Sequence, residues 1–150
     1  MEPVAKPRIT AHRISLNTRT GGLAVRNLLG EAMVALADWG HPAEARSAVE
    51  LVLAEALNNV VEHGYGFREG GPLGLEMELT AETLTCTITD HGRPFPDEAL
   101  PEGRAASLEG PTAELPEGGF GWHLIRQMTS DLHYQRNDGR SKLTLHFSVV

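Results

Sequence analysis

The chain has 150 residues, 41% of them hydrophobic and 22% charged, enough for one globular domain with a core and too few for two comfortable ones. Its net charge of −7 argues against a nucleic-acid backbone as the main partner, because that affinity comes from clustered Lys and Arg. Cys86 is the only cysteine, which excludes an internal disulfide and a multi-cysteine metal site and fits a reducing compartment. A small nucleotide stays open to an acidic chain, since backbone N–H groups and a metal can hold its phosphates. No stretch reaches the roughly 18 apolar residues of a membrane span, and "MEPVAKPRIT" has no apolar core for a secretory signal. A cytoplasmic protein is the expectation, with neither nucleic acid nor membrane as a direct partner.

Residues 1–10 read as a flexible tail. His12, Ile14 and Leu16 alternate with small or polar residues and predict a short strand. Val25, Leu28, Leu29, Ala32, Met33 and Leu36 then recur at threes and fours, the spacing of an amphipathic helix. Gly40 and Pro42 end it, and Pro42 suits the first turn of a second helix running to about His63. Val49, Val52, Leu53, Ala56, Leu57 and Val60 form the buried stripe of that helix, and Gly64 is its expected left-handed cap. "REGGP" is a turn. Leu73, Leu75, Met77 and Leu79, then Leu84, Cys86 and Ile88, alternate at period two and predict two strands joined by the hairpin "TAET".

Residues 91–119 are irregular and rich in Gly, Pro and Glu, the profile of a functional loop. A helix is expected from about Gly121 to Ser130, then two strands, "LHYQR" and "KLTLHFSVV". "NDGR" joins them with the Asp-Gly hairpin signal. This order predicts an α/β two-layer sandwich, with helices on one face of a largely antiparallel, mixed sheet.

Three short motifs carry chemistry. Glu55 and Asn59 sit four residues apart on one helix face, with Glu62 continuing the polar stripe. The pair offers a base and a neutral oxygen for a hard cation; alone, it is also what any solvated helix face carries. Asp90-His91-Gly92 follows a strand. Asp90 can accept from an amino group in a pocket and Gly92 can let a flat ring approach, although Asp-x-Gly also simply starts turns. Gly118-Gly119-Phe120-Gly121 opens a helix, where free N–H groups at the positive end suit phosphate; glycine pairs also serve as hinges. Each signal is weak alone. In this order they describe a purine nucleotide from base to terminal phosphate. His63, His91 and His123 sit near the same places, but without the one-face spacing of a zinc hydrolase.

On these residues the chain resembles the histidine-kinase-like (GHKL) ATPase superfamily, and more closely its anti-sigma-factor serine/threonine kinase branch, the RsbW- and SpoIIAB-like proteins. "EALNNVVEHGYG" is similar to the N-box, "TDHGRPFPD" to the first glycine box and "EGGFGWHLIRQMTSDLHYQR" to the second; "DGRSKLTLHF" also fits. The resemblance implies a Bergerat-type ATP-binding fold over residues 11–150, with an ATP lid at about 97–117. It implies that Glu55 is the general base or orients the nucleophile and that Asn59 ligates Mg²⁺. Asp90 then binds the adenine amino group with Gly92 beside it, Gly119 and Gly121 serve the phosphates, and Thr144 lies near the adenine. ATP and Mg²⁺ are the implied cofactors. A STAS-type anti-anti-sigma protein and a sigma factor or analogous regulator are the implied partners, and homodimers occur among such relatives. The implied activity is an ATP-dependent protein serine/threonine kinase in a partner-switching system. A nucleotide-binding switch with little or no transfer, and a simple ATPase, are the competing readings; the presence of a base at Glu55 favours the kinase.

Overall fold

The computed structural model describes residues 11–101 and 120–149. The tail expected at 1–10, most of the loop expected at 97–117, and Gly119 lie outside the described residues. The elements are β1 (His12–Arg19), α1 (Ala24–Asp38), α2 (Ala43–Tyr65), β2 (Pro72–Leu79), β3 (Thr83–Asp90), α3 (Phe120–Met128), β4 (Asp131–Asn137) and β5 (Arg140–Ser148). A short 3₁₀ turn, Pro96–Glu98, follows β3.

The strands form one sheet in the order β1-β2-β3-β5-β4. Every pairing among the described residues is antiparallel, so the largely antiparallel sheet expected from the sequence shows no parallel component there. Period-two alternation decides the faces. Leu73, Leu75, Met77 and Leu79 of β2, Leu84, Cys86 and Ile88 of β3, and Leu143, Leu145 and Phe147 of β5 are buried beneath the helices. The intervening Thr85, Thr87 and Thr89 of β3 and Lys142 and Thr144 of β5 occupy the other, open face. The β4–β5 connection is the two-residue turn Asp138-Gly139, with φ of 52° and 75°, the positive-φ pair that matches the twist of a hairpin.

α2 is the central helix. It packs on β3 below and on α1 and α3 at its sides. Leu53 and Leu57 are buried to within 1% of complete exclusion, each worth roughly 1.5–3 kcal/mol of apolar transfer. Pro42 is the N-cap, as its fixed φ allows. The left-handed cap at the other end is Gly66 (φ 59°), not the expected Gly64. Gly64 stays helical because the helix runs two residues further and buries both Gly64 and Tyr65. That extra half-turn brings Tyr65 into contact with the sheet.

Candidate nucleotide site

The site follows the C-terminal half of α2. Glu55 and Asn59 share one face, and the start of α3 crosses that face. A Cβ built on Gly121 would stand 2.5 Å from Glu55 Oε2 and 3.7 Å from Asn59 Nδ2, so a side chain there would displace the Glu55 carboxylate while meeting Asn59 at ordinary contact distance. Asn59 is 8% exposed and its Nδ2 has no hydrogen-bond partner among the described residues. Buried amides are ordinarily satisfied, and an orphan of this kind costs free energy unless a ligand completes it. In either amide orientation the side chain presents one oxygen and one N–H₂ group, a donor set that fits a hydrated Mg²⁺ beside phosphate oxygens. Glu62, further along the stripe, is exposed.

Nine residues along α2 from Glu55, about 13 Å at the helical rise, the backbone of Gly64 meets the end of β3. Asp90 occupies the buried face of that strand at 4% exposure, in register with the apolar Leu84, Cys86 and Ile88. The Gly92 N–H donates to Asp90 Oδ1 at 2.9 Å. Burial pushes the Asp90 carboxyl above the usual carboxylate range, while the Gly92 N–H, Arg136 and His91 pull the other way. A Cβ on Gly92 would fall 2.3 Å from Gly64 O, and the Arg93 N–H donates to that oxygen at 2.7 Å. Two backbones therefore pass in direct contact beside Asp90, which requires glycine at Gly92 for a reason beyond the ring approach expected of it.

Several further residues of the same segments support the site. Tyr65 OH donates to Pro72 O at 2.6 Å and accepts the His91 N–H at 2.8 Å, tying the end of α2 to β2 and to the residue after Asp90. Burial raises the Tyr65 pKa, so the phenol stays neutral and keeps its donor proton. Arg136 donates through one nitrogen to Gly92 O at 2.6 Å and to Ser141 Oγ at 2.8 Å. Tyr134 OH bonds Ser141 Oγ at 2.9 Å and accepts the Phe95 N–H at 3.1 Å. Phe95 is buried, with its ring 5.1–5.4 Å from those of His63, Trp122 and Tyr134. These contacts fix the segment leaving Asp90, and they account for His63 as a packing group beside the aromatic cluster.

Thr144 is a correction. It pairs with Thr87 on the open face, because the inward positions of β5 are Leu143 and Leu145. The structure therefore sets it on the other side of the sheet from Asp90. The residue opposite Asp90 is Ser141, 1% exposed. Extending the period-two pattern of β5 back from Leu143 by one step places Ser141 on the core face, and that signal was available in the sequence. Of the remaining expected residues, the structure brings Glu55, Asn59 and Gly121 together beside the middle of α2 and Asp90 and Gly92 beside its C-terminal end.

Comparison with known proteins gives this arrangement its family. The model of the histidine kinase-like ATPase domain matches residues 22–147. The serine/threonine-protein kinase BtrW of Bordetella bronchiseptica is 36% identical over 116 residues, 75% of this chain and 76% of that protein. The serine-protein kinase RsbW of Halalkalibacterium halodurans is 32% identical over 93 residues, 61% of this chain and 56% of that protein, so the chain spans just over half the length of this relative. Among solved structures, the RsbU and RsbW domains of Rv1364c from Mycobacterium tuberculosis superpose with a TM-score of 0.61 at 15% identity. That match covers 91% of this chain and 31% of the other, and at this identity it speaks for the fold alone. The fold, the placement of Asp90 of β3 and Gly121 of α3 against the helix that carries Glu55 and Asn59, and the family match lead to one conclusion: this chain belongs to the histidine kinase-like ATPase domain family.

Proposed function

We propose that the protein is an ATP-dependent anti-sigma regulatory factor of the cytoplasm, a serine/threonine kinase that phosphorylates a STAS-type anti-anti-sigma partner and holds a sigma factor or analogous regulator when that partner is absent. The observation that carries this reading is the meeting of Gly121 at the start of α3 with the Glu55 carboxylate and the Asn59 carboxamide. A positive helix end, a base and an oxygen donor at one point suit a terminal phosphate and an attacking hydroxyl.

In this reading Asp90 accepts the adenine amino proton, and Gly92 keeps the backbone clear beside it. The nucleotide lies along α2 toward Glu55, its phosphates received by the N–H groups at the start of α3 and at Gly119. Asn59 would hold Mg²⁺, and the ion, when bound, would neutralise phosphate charge. Glu55 accepts or orients the proton of the incoming serine or threonine hydroxyl as its oxygen attacks the γ-phosphorus and ADP leaves. Residues 97–117 serve as a lid, a proposal resting on their length and their Gly and Pro content.

The test is to mix the protein with Mg·ATP and a STAS-domain protein and to compare phosphate on protein with phosphate in water. Phosphate on a serine or threonine of the partner is expected. ATP-dependent binding of the partner without transfer would replace the kinase by the nucleotide switch, and free phosphate alone would replace it by a simple ATPase.

A further inference from the structure

The open face of the sheet carries a side-chain cluster that the nucleotide site does not use. Asp131 and His133 lie two residues apart on β4, and therefore on one face of that strand. His146 of β5 is the register partner of Asp131. One atom from each of the three side chains can be chosen so that all lie within 4.8 Å of one another. Asp131 Oδ2 and His133 Nε2 are already 2.9 Å apart, and the two imidazole rings stand 5.8 Å apart, edge to face.

From this geometry we propose a binding site for a borderline divalent transition metal, Zn²⁺ or a neighbouring ion such as Ni²⁺ or Cu²⁺, formed by Asp131, His133 and His146. Two imidazoles and one carboxylate are the donor set these ions favour, and Mg²⁺ or Ca²⁺, which prefer oxygen, are disfavoured. Ligand atoms at about 2.1 Å from a tetrahedral ion are roughly 3.4 Å from each other. The present separations need only small rotations of side chains that are exposed or half-buried. The backbone is already set, because the three residues sit on paired strands closed by the tight Asp138-Gly139 turn.

Supporting contacts hold two of the ligands. Thr85 Oγ1 of the adjacent β3 shares a hydrogen bond with His146 Nδ1 at 3.2 Å, which orients that ring. The Leu132 N–H donates to Asp131 Oδ1 at 2.9 Å, which leaves the Oδ2 atom facing His133. Outer contacts of this type position metal ligands. Three protein ligands leave a fourth position to water. The cluster is on the opposite side of the sheet from Asp90 and α2, so this proposal stands apart from the nucleotide reading.

The test uses the full untagged chain, stripped with EDTA, dialysed, and titrated with ZnCl₂ in a calorimeter without nucleotide. One equivalent of Zn²⁺ is expected to bind. His146→Ala and His133→Ala are each expected to weaken it by at least the about 10–100-fold that even an outer-shell contact is worth. Asn59→Ala, at the other site, is expected to leave it unchanged. Since the chain has seven histidines, Zn²⁺ can also bind elsewhere. Retention of the same equivalent and affinity in the double variant His133→Ala/His146→Ala overturns the proposal, as does the lack of any saturable Zn²⁺ binding by the wild-type chain. Co²⁺ gives a second reading. Visible absorption of a low-symmetry N/O site is expected in the wild type and its absence in the double variant, while identical spectra overturn the assignment. Circular dichroism of each variant establishes that it is folded before either measurement is read.

Discussion

Asp90 places a carboxylate where the alternation of β3 would otherwise bury an apolar side chain. An acid whose native pKa is raised above its unfolded value binds its proton more tightly in the folded state. Its contribution is then favourable below the usual carboxylate range and becomes a cost as pH rises through the unfolded and then the native pKa. Asp90→Asn removes that cost and keeps an oxygen for the Gly92 N–H. The variant is expected to gain thermal stability relative to wild type at about pH 7, with the gain shrinking toward about pH 4, by scanning calorimetry. Nucleotide affinity is expected to fall by about 1–3 kcal/mol, because an N–H₂ group then faces the adenine amino group. Equal ATP affinity in a calorimetric titration would end the base-reading role. Gly121→Ala is the complementary change. Its methyl group would displace the Glu55 carboxylate, the mobile end of a side chain, so phosphate transfer is expected to drop while stability stays level or rises by up to about 1 kcal/mol. Wild-type transfer by this variant would mean that the Glu55 position does not matter. The placement of Glu55 and Asn59 on one helix face and of Asp90 at a strand end was legible in the sequence, because helix spacing and strand period place side chains directly. The roles of Tyr65 and Arg136 are not legible there, since their partners lie 5 to 44 residues away, whereas strand period, unlike motif position, puts Ser141 on the core face and Thr144 on the open one.

At the scale of elements, the helix and strand cores were legible and their ends were not. α2 runs past Gly64 because tertiary contact, the Tyr65 hydroxyl on Pro72 and His91, outweighs the local preference of glycine to stop a helix. The Asp-Gly hairpin was legible because its positive-φ pair is a local requirement. The segment after β3 reads as loop, and nothing in its periodicity shows that Phe95 is anchored in an aromatic cluster with Trp122 and Tyr134. Phe95→Ala is expected to cost about 3–5 kcal/mol in urea unfolding, the range for truncating a buried aromatic ring. A change under about 1 kcal/mol would show that the cluster is not a structural anchor. The proposed lid makes its own prediction. Limited proteolysis of the free protein is expected to cut within residues 97–117 and to spare them in Mg·ATP; equal cleavage in both states would count against a lid.

For the molecule as a whole, one helix connects the two ends of the proposed chemistry, with the proposed base-reading carboxylate beside its C-terminal end and Asn59 and Glu55 roughly one and a half and two and a half turns earlier. The two-layer architecture was legible from the alternation of periods two and 3.6 along the chain, whereas the strand order β1-β2-β3-β5-β4 depends on long-range pairing that no local pattern encodes. The layered order has a functional consequence. In the proposed reading the helical face takes the nucleotide, and the other face of the sheet is polar. The central claim, that Glu55 acts on an attacking hydroxyl and Asn59 on the nucleotide and its metal, is tested most directly by comparing two variants. Glu55→Gln and Asn59→Ala would be assayed together for Mg·ATP affinity by calorimetry and for phosphate transfer to a STAS-domain partner. The account predicts that Glu55→Gln binds Mg·ATP as wild type does and transfers about 10²–10⁴-fold more slowly, while Asn59→Ala loses both binding and transfer. Wild-type transfer by Glu55→Gln, or unchanged Mg·ATP affinity in Asn59→Ala, would contradict it.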